Sequence, residues 1–187
     1  TYGDLIVDNG TVDGRPTRLP ALGSGTAATG SSGAVLETGL ASIQPYFEGH
    51  WVEITDGSTG TLRGTWRIAG IADGTVTFEA NVEDGDPIVV EGDAWQGVYR
   101  FDAMTVAGTI PLRSDDPIRV AEQTITGVVE TTHISADRLV VASGGKLTSP
   151  RGWPLDIDVS GEVVGEAGAS IDVSGRGYRE NETYPGE

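Results

Sequence analysis

The sequence predicts an all-β chain: a short β-solenoid carrying an inserted small antiparallel barrel of the SH3-like kind, with a two-sheet β-sandwich as the alternative. Three observations lead there. A strand-and-turn phrase returns along the chain, as Leu5-Ile-Val-Asp-Asn-Gly-Thr-Val12, Met104-Thr-Val-Ala-Gly-Thr-Ile110, Leu139-Val-Val-Ala-Ser-Gly-Gly-Lys-Leu147 and Val163-Val-Gly-Glu-Ala-Gly-Ala-Ser-Ile171. The last two align at an offset of 24 residues, and Ile-Asp-Val-Ser-Gly occurs at both 157–161 and 171–175. Repeats built on single strands are the mark of a stacked, quasi-one-dimensional architecture. The 28 glycines break every run that could hold a helical period, and Asp-Gly turns punctuate a central block of alternating strands.

Taken in order, residues 1–15 carry the first coil phrase. Residues 16–44, rich in Gly, Ser, Thr and Ala, form a connecting segment. Within it Ser31 to Gln44, broken by Gly33 and Gly39, is expected as loop with one short helical turn at most. Residues 45–102 change grammar. Strands at 47–55, 61–71, 75–80, 87–90 and 95–101 are separated by Asp56-Gly57, Asp73-Gly74, Glu83-Asp-Gly-Asp86 and Glu91-Gly-Asp93. Five such strands in so short a block predict a small antiparallel barrel, with Trp51, Trp66 and Trp95 as its core. From 103 to 180 the coil phrases resume, and 181–187 is a polar tail. Val7, Val106, Val141, Ile157, Ile171 and Val173 are the positions expected to point inward. Thr1 and the polar last residues read as the two ends of a piece taken from a longer protein.

Composition narrows the partners. The net charge is −16, with eleven Arg and one Lys scattered among 28 acidic residues. Nucleic acid, which is held through clustered cations, is excluded as a partner on that account. Anionic membrane surfaces are disfavoured for the same reason. No run approaches the roughly 20 apolar residues of a membrane span, so direct insertion is not expected. Without cysteine, disulfide and thiolate chemistry are absent.

A resemblance rests on Gly49-His-Trp-Val-Glu-Ile54, Gly64-Thr-Trp-Arg-Ile68, Gly92-Asp-Ala-Trp-Gln-Gly-Val-Tyr-Arg-Phe-Asp102, Ile171-Asp-Val-Ser-Gly-Arg-Gly-Tyr178 and Thr183-Tyr-Pro-Gly186. These stretches resemble repeat modules of very large secreted surface proteins of gliding and predatory soil bacteria. The resemblance implies a secreted or cell-surface, adhesin-like or fibrous multi-module protein. It transfers no functional residue.

The residues themselves point to no catalytic arrangement. His50 and His133, the only histidines, lie in strand-like stretches. No Gly-x-Ser-x-Gly elbow, His-Glu-x-x-His pair or phosphate loop occurs. Two alternatives to a pure scaffold stand on single features. Acidic turns supply the oxygen ligands that calcium requires: Glu83, Asp84 and Asp86; Asp115 and Asp116; Asp156 and Asp158, which share one face if their stretch is a strand. Trp153, in the proline-bounded loop Ser149-Pro-Arg-Gly-Trp-Pro154, offers an aromatic face for a surface glycan, with Arg151 in the same loop and Tyr178 in the polar tail as further candidates. A polysaccharide-cleaving enzyme with paired carboxylates is the weakest alternative. The expectation is therefore a structural or adhesive module, its partners being neighbouring modules or further copies of itself, with end-to-end assembly through open coil ends.

Overall fold

The computed structural model describes residues 2–10, 12, 14–108 and 110–176. With 55% strand and 2% helix the chain is all-β, as expected. It divides into two units: Ala21–Tyr99 forms one, and the residues up to Pro20 together with those from Arg100 onward form the other. The strands lie in a mixed sheet of twelve and a parallel sheet of five.

In the unit made from both ends of the chain, the strands are β1 (Asp4–Asp8) and β2 (Thr17–Leu19), followed by those that come after residue 99. The Ala21–Tyr99 unit holds β3 (Ser24–Thr26), β4 (Ser32–Gly33), β5 (Val35–Glu37), β6 (Trp51–Thr55), β7 (Leu62–Ala72), β8 (Thr75–Glu79) and β9 (Val89–Val90). The long β10 (Ala94–Ala107) runs from that unit into the other. After it come β11 (Leu112–Ser114), β12 (Ile118–Ile125), β13 (Val128–Thr131), β14 (His133–Val141), β15 (Lys146–Thr148), β16 (Asp156–Gly165) and β17 (Ser170–Ile171).

The two-ended unit is built by alternation. The chain lays one strand in one sheet and the next in the other, so that β1, the end of β10, β12, β14 and β16 neighbour one another in that order. Likewise β2, β11, β13, β15 and β17 form the second, parallel sheet. Because each pass is parallel to the last, like residues stack in columns. Ile118, Ile134 and Ile157 form one, and Val120, Ala136 and Val159 another. In the second sheet Leu112, Val129, Leu147 and Ile171 form a third. Burying apolar columns between neighbouring passes is what stabilises such a stack. Glycine lets the turns close: a Cβ on Gly145 would stand 2.1 Å from the Ile125 carbonyl oxygen, so the β14–β15 turn admits no side chain there.

The columns also correct the inward assignments. Val106 and Val141 are buried and Val7 and Ile157 half-buried, but Ile171 is 51% and Val173 50% exposed. The Ile171 column is complete on one side only, since β17 ends its sheet. The residue type faces the stack, and no further pass covers it among the described residues.

The strands of the Ala21–Tyr99 unit pair antiparallel: β6 with β7, β7 with β8, β8 with β5, β5 with β4, β4 with β9, and β10 with β3 and β6. Its core includes Leu36, Phe47, Val52, Ile54, Trp66, Ile68, Val76, Phe78 and Trp95. Trp51 departs from expectation. Along β6 it alternates with the buried Val52 and Ile54 and is itself half-buried, on the opposite face. The 16–44 segment is also more than a connection. Thr17–Leu19 belongs to one unit, while β3, β4 and β5 build sheet in the other. Within 31–44, Leu36 is fully buried; one apolar side chain opposite Val76 suffices to recruit a three-residue strand. The short helical turn falls just beyond, at Pro45–Phe47.

A polar knot closes this unit's turns. Arg63 meets Asp56 at 2.6 Å and Asp93 at 2.9 Å, and Asp93, 2% exposed, accepts the Val90 N–H at 2.8 Å. The Ser58 hydroxyl and the N–H groups of Ser58 and Thr59 bond the Asp56 carboxylate and, with Arg63, lower its pKa from 3.8 to about 2. A carboxylate whose folded pKa is depressed stabilises the fold above its unfolded pKa and loses that contribution as pH falls through the folded value. Asp56→Asn should therefore lower the urea midpoint at pH 7. The gap to the parent chain should close between about pH 4 and pH 2. A gap that keeps its full pH 7 size at pH 2 would mean that the charge is not the cause.

Candidate functional site

The outer faces of the stacked passes carry rungs of charge. Arg18 meets Asp115 at 2.5 Å, and Arg113 meets Glu130 at 3.0 Å. Arg138 meets Glu162 at 3.1 Å and Lys146 meets Asp172 at 2.7 Å. A longer rung crosses three strands: Arg119 Nη1 lies 2.7 Å from His133 Nε2, and His133 Nδ1 lies 3.2 Å from Asp156. A guanidinium can only donate, so Nε2 accepts and the Nδ1–H faces the carboxylate. In these rungs the cation or imidazole sits on the earlier pass and the carboxylate on the later one. Lys146 Nζ, with the Ser174 N–H and hydroxyl, holds the Asp172 carboxyl well below the usual carboxylate range. Glu130, buried on β13, is also reached by Arg176 at 3.2 Å.

This order loads the final pass with acid. Asp156, Asp158 and Glu162 on β16 are exposed, Glu166 follows the strand, and Asp172 follows β17. Among the described residues β16 and β17 are the end strands of their sheets. Between them lies a recess of about 80 Å³ lined by Val141, Val163, Val164, Ala169 and Ile171, among others. Small-molecule sites run to several hundred Å³; this one has room for a single apolar side chain. Val163 is 53% exposed at its edge.

The sequence-predicted residues fall in four places. Trp153 is 58% exposed in a loop whose Gly152 N–H donates to the Arg176 carbonyl at 2.6 Å, and Arg151 is exposed beside it. Tyr178 lies outside the described residues. Glu83, Asp84 and Asp86 sit in the loop between β8 and β9, where Asn81 Oδ1 accepts the N–H groups of Glu83 and Asp84 and Asp84 accepts the Thr65 N–H at 3.2 Å. Asp115 is paired with Arg18, whereas Asp116 is buried and its carbonyl accepts the Ser114 hydroxyl. Asp156 and Asp158 share the exposed face of β16, as the alternation required. Among the described residues no three of His, Cys, Asp or Glu are grouped to hold a metal ion, and no helix is long and apolar enough to cross a membrane.

Sequence reasoning missed the Arg119–His133–Asp156 rung and the rim formed by Glu162 and Glu166. A signal was present. The 24-residue offset that aligns Leu139 with Val163 also sets Arg138 beside Glu162. Comparison with protein families, with curated proteins and with solved structures yields no match to this chain.

Proposed function

We propose that the chain is a structural, adhesive module of a large secreted or cell-surface bacterial protein, and that its work is mechanical rather than catalytic. On this reading the alternating parallel passes are coils of a short β-solenoid, and the antiparallel unit is a small SH3-like insertion between two of them. The observation that carries the reading is the pair of end strands, β16 and β17, flanking an apolar recess. An uncovered end of a parallel stack is a surface on which a further strand or module can dock. The resemblance to modules of giant surface proteins points the same way. Both histidines have structural neighbours: His50 stacks edge-on between Phe47 and Tyr99, and His133 sits between Arg119 and Asp156.

The test is molar mass by light scattering across protein concentration, at low and at high salt, with and without millimolar calcium. Docking at the coil ends predicts mass that rises with concentration once salt or calcium offsets the acidic edges. A monomer under every condition would overturn docking of one copy on another at the coil ends. A second reading, carbohydrate binding, is favoured by the exposed Trp153 beside Arg151. It predicts a change in tryptophan fluorescence on adding a polysaccharide, abolished in Trp153→Ala.

A further inference from the structure

The charge order of the rungs says what can cover the open end. Where rungs reach the last described pass, the cation comes from the pass before it, Arg138 to Glu162 and Lys146 to Asp172, and β16 itself offers Asp156, Asp158 and Glu162 and no cation. The recess between β16 and β17 is bordered in sequence by three carboxylates: Glu162 precedes Val163, Glu166 follows Gly165, and Asp172 follows Ile171. We infer that this end takes an extended segment of a partner protein in which an apolar side chain is flanked by Arg or Lys. The apolar group fills the recess, and the basic groups meet Glu162 and Glu166. The inference rests on the end-docking reading above and names the chemistry of the partner.

A second copy of this chain is the poorer occupant. Stacked head to tail, it would bring the edge strand β1, with the exposed Asp4 and Asp8, against the same carboxylates. Stacked tail to tail, it would oppose the acidic β16 to itself. Either arrangement sets like charges side by side in molecules of net charge −16. The geometry of β16 adds a limit. Its register against β14 shifts between Ala136 and Arg138, a bulge that interrupts the edge. Bulged, charged edges resist indiscriminate strand pairing. The straight run left beside the recess is Glu162–Gly165, so the docked segment is short.

The experiment measures fluorescence anisotropy of a labelled Arg-Val-Arg-Val-Arg peptide titrated with the full chain, in about 50 mM salt with EDTA. A Glu-Val-Glu-Val-Glu peptide serves as comparison. The basic peptide should bind saturably and the acidic one should not. The Glu162→Gln, Glu166→Gln double variant should weaken binding about tenfold, and Val163→Lys should do the same without altering the melt of the chain. Glu83→Gln with Asp86→Gln, remote in sequence and in the other unit, should leave affinity unchanged. Equal binding of the two peptides, no binding of either, or an equal loss in the remote variant would each overturn the inference. Assembly in the light-scattering experiment without peptide binding would reject this partner chemistry and leave end docking standing; failure of both would reject the reading beneath it.

Discussion

Val141→Asp should unfold the stacked passes, whereas Ile171→Asp, thirty residues on in the same repeat grammar, should leave them folded. Val141 on β14 is 1% exposed, and its neighbours in register, Ile125 on β12 and Gly165 on β16, flank it on both sides. A carboxyl placed there must either stay protonated or carry a buried charge. The cost is about 3–5 kcal/mol, a large part of the stability of a domain this size. At Ile171 the side chain already meets water on the side away from Leu147, and the expected cost is within about 1 kcal/mol. The check is amide hydrogen exchange across 118–148, because the two units need not melt together. Protection lost in Val141→Asp and retained in Ile171→Asp is the expected pattern. Equal loss in both would mean that the last pass is buried and the open end does not exist.

The second large effect belongs to the antiparallel unit. Trp66→Ala should cost about 3–5 kcal/mol and abolish the near-ultraviolet signal of its aromatic cluster. Trp66 is fully buried, its ring centroid lies 6.5 Å from that of Phe78, and its indole N–H donates to the Gly85 carbonyl at 3.2 Å. The space beside it is made by Gly64, where a Cβ would stand 2.7 Å from the ring. Trp66→Phe keeps much of the volume but loses the N–H, and should cost roughly 1–3 kcal/mol. Trp51→Ala, on the half-buried face of β6, should cost less than Trp66→Ala, measured by urea denaturation followed at the remaining tryptophans. A larger effect at Trp51 would reverse the assignment of faces along that strand.

These contrasts divide what was legible from what was not. Local chemistry was enough for the all-β class, for the Asp56-Gly57 and Asp73-Gly74 turns and for most of the central strands. Turn type and period-two alternation are properties of a few consecutive residues. Local chemistry also placed Asp156 and Asp158 on one face of β16 and Val141 in the interior. It could not separate Val141 from Ile171, because both are aliphatic residues in equivalent phrases. Their difference is that, among the described residues, β14 has a neighbour on each side and β17 on one. Trp51 and Trp66 look alike in sequence for a similar reason, and only the pairing of β6 with β7 and β10 decides which ring is enclosed. Likewise, nothing near Leu36 in the chain announces a strand, since its partner Val76 lies in another hairpin.

By itself, then, the sequence determined the β class, the turns, the acidity and the repeat that makes successive passes match. The tertiary structure alone decided which of the described passes stands at the edge, where the described apolar columns stop and which carboxylates gather there. Burial and charge pairing are relations between strands distant in sequence. An end strand differs from an interior one by the neighbour it lacks, and a residue does not encode that in its own type.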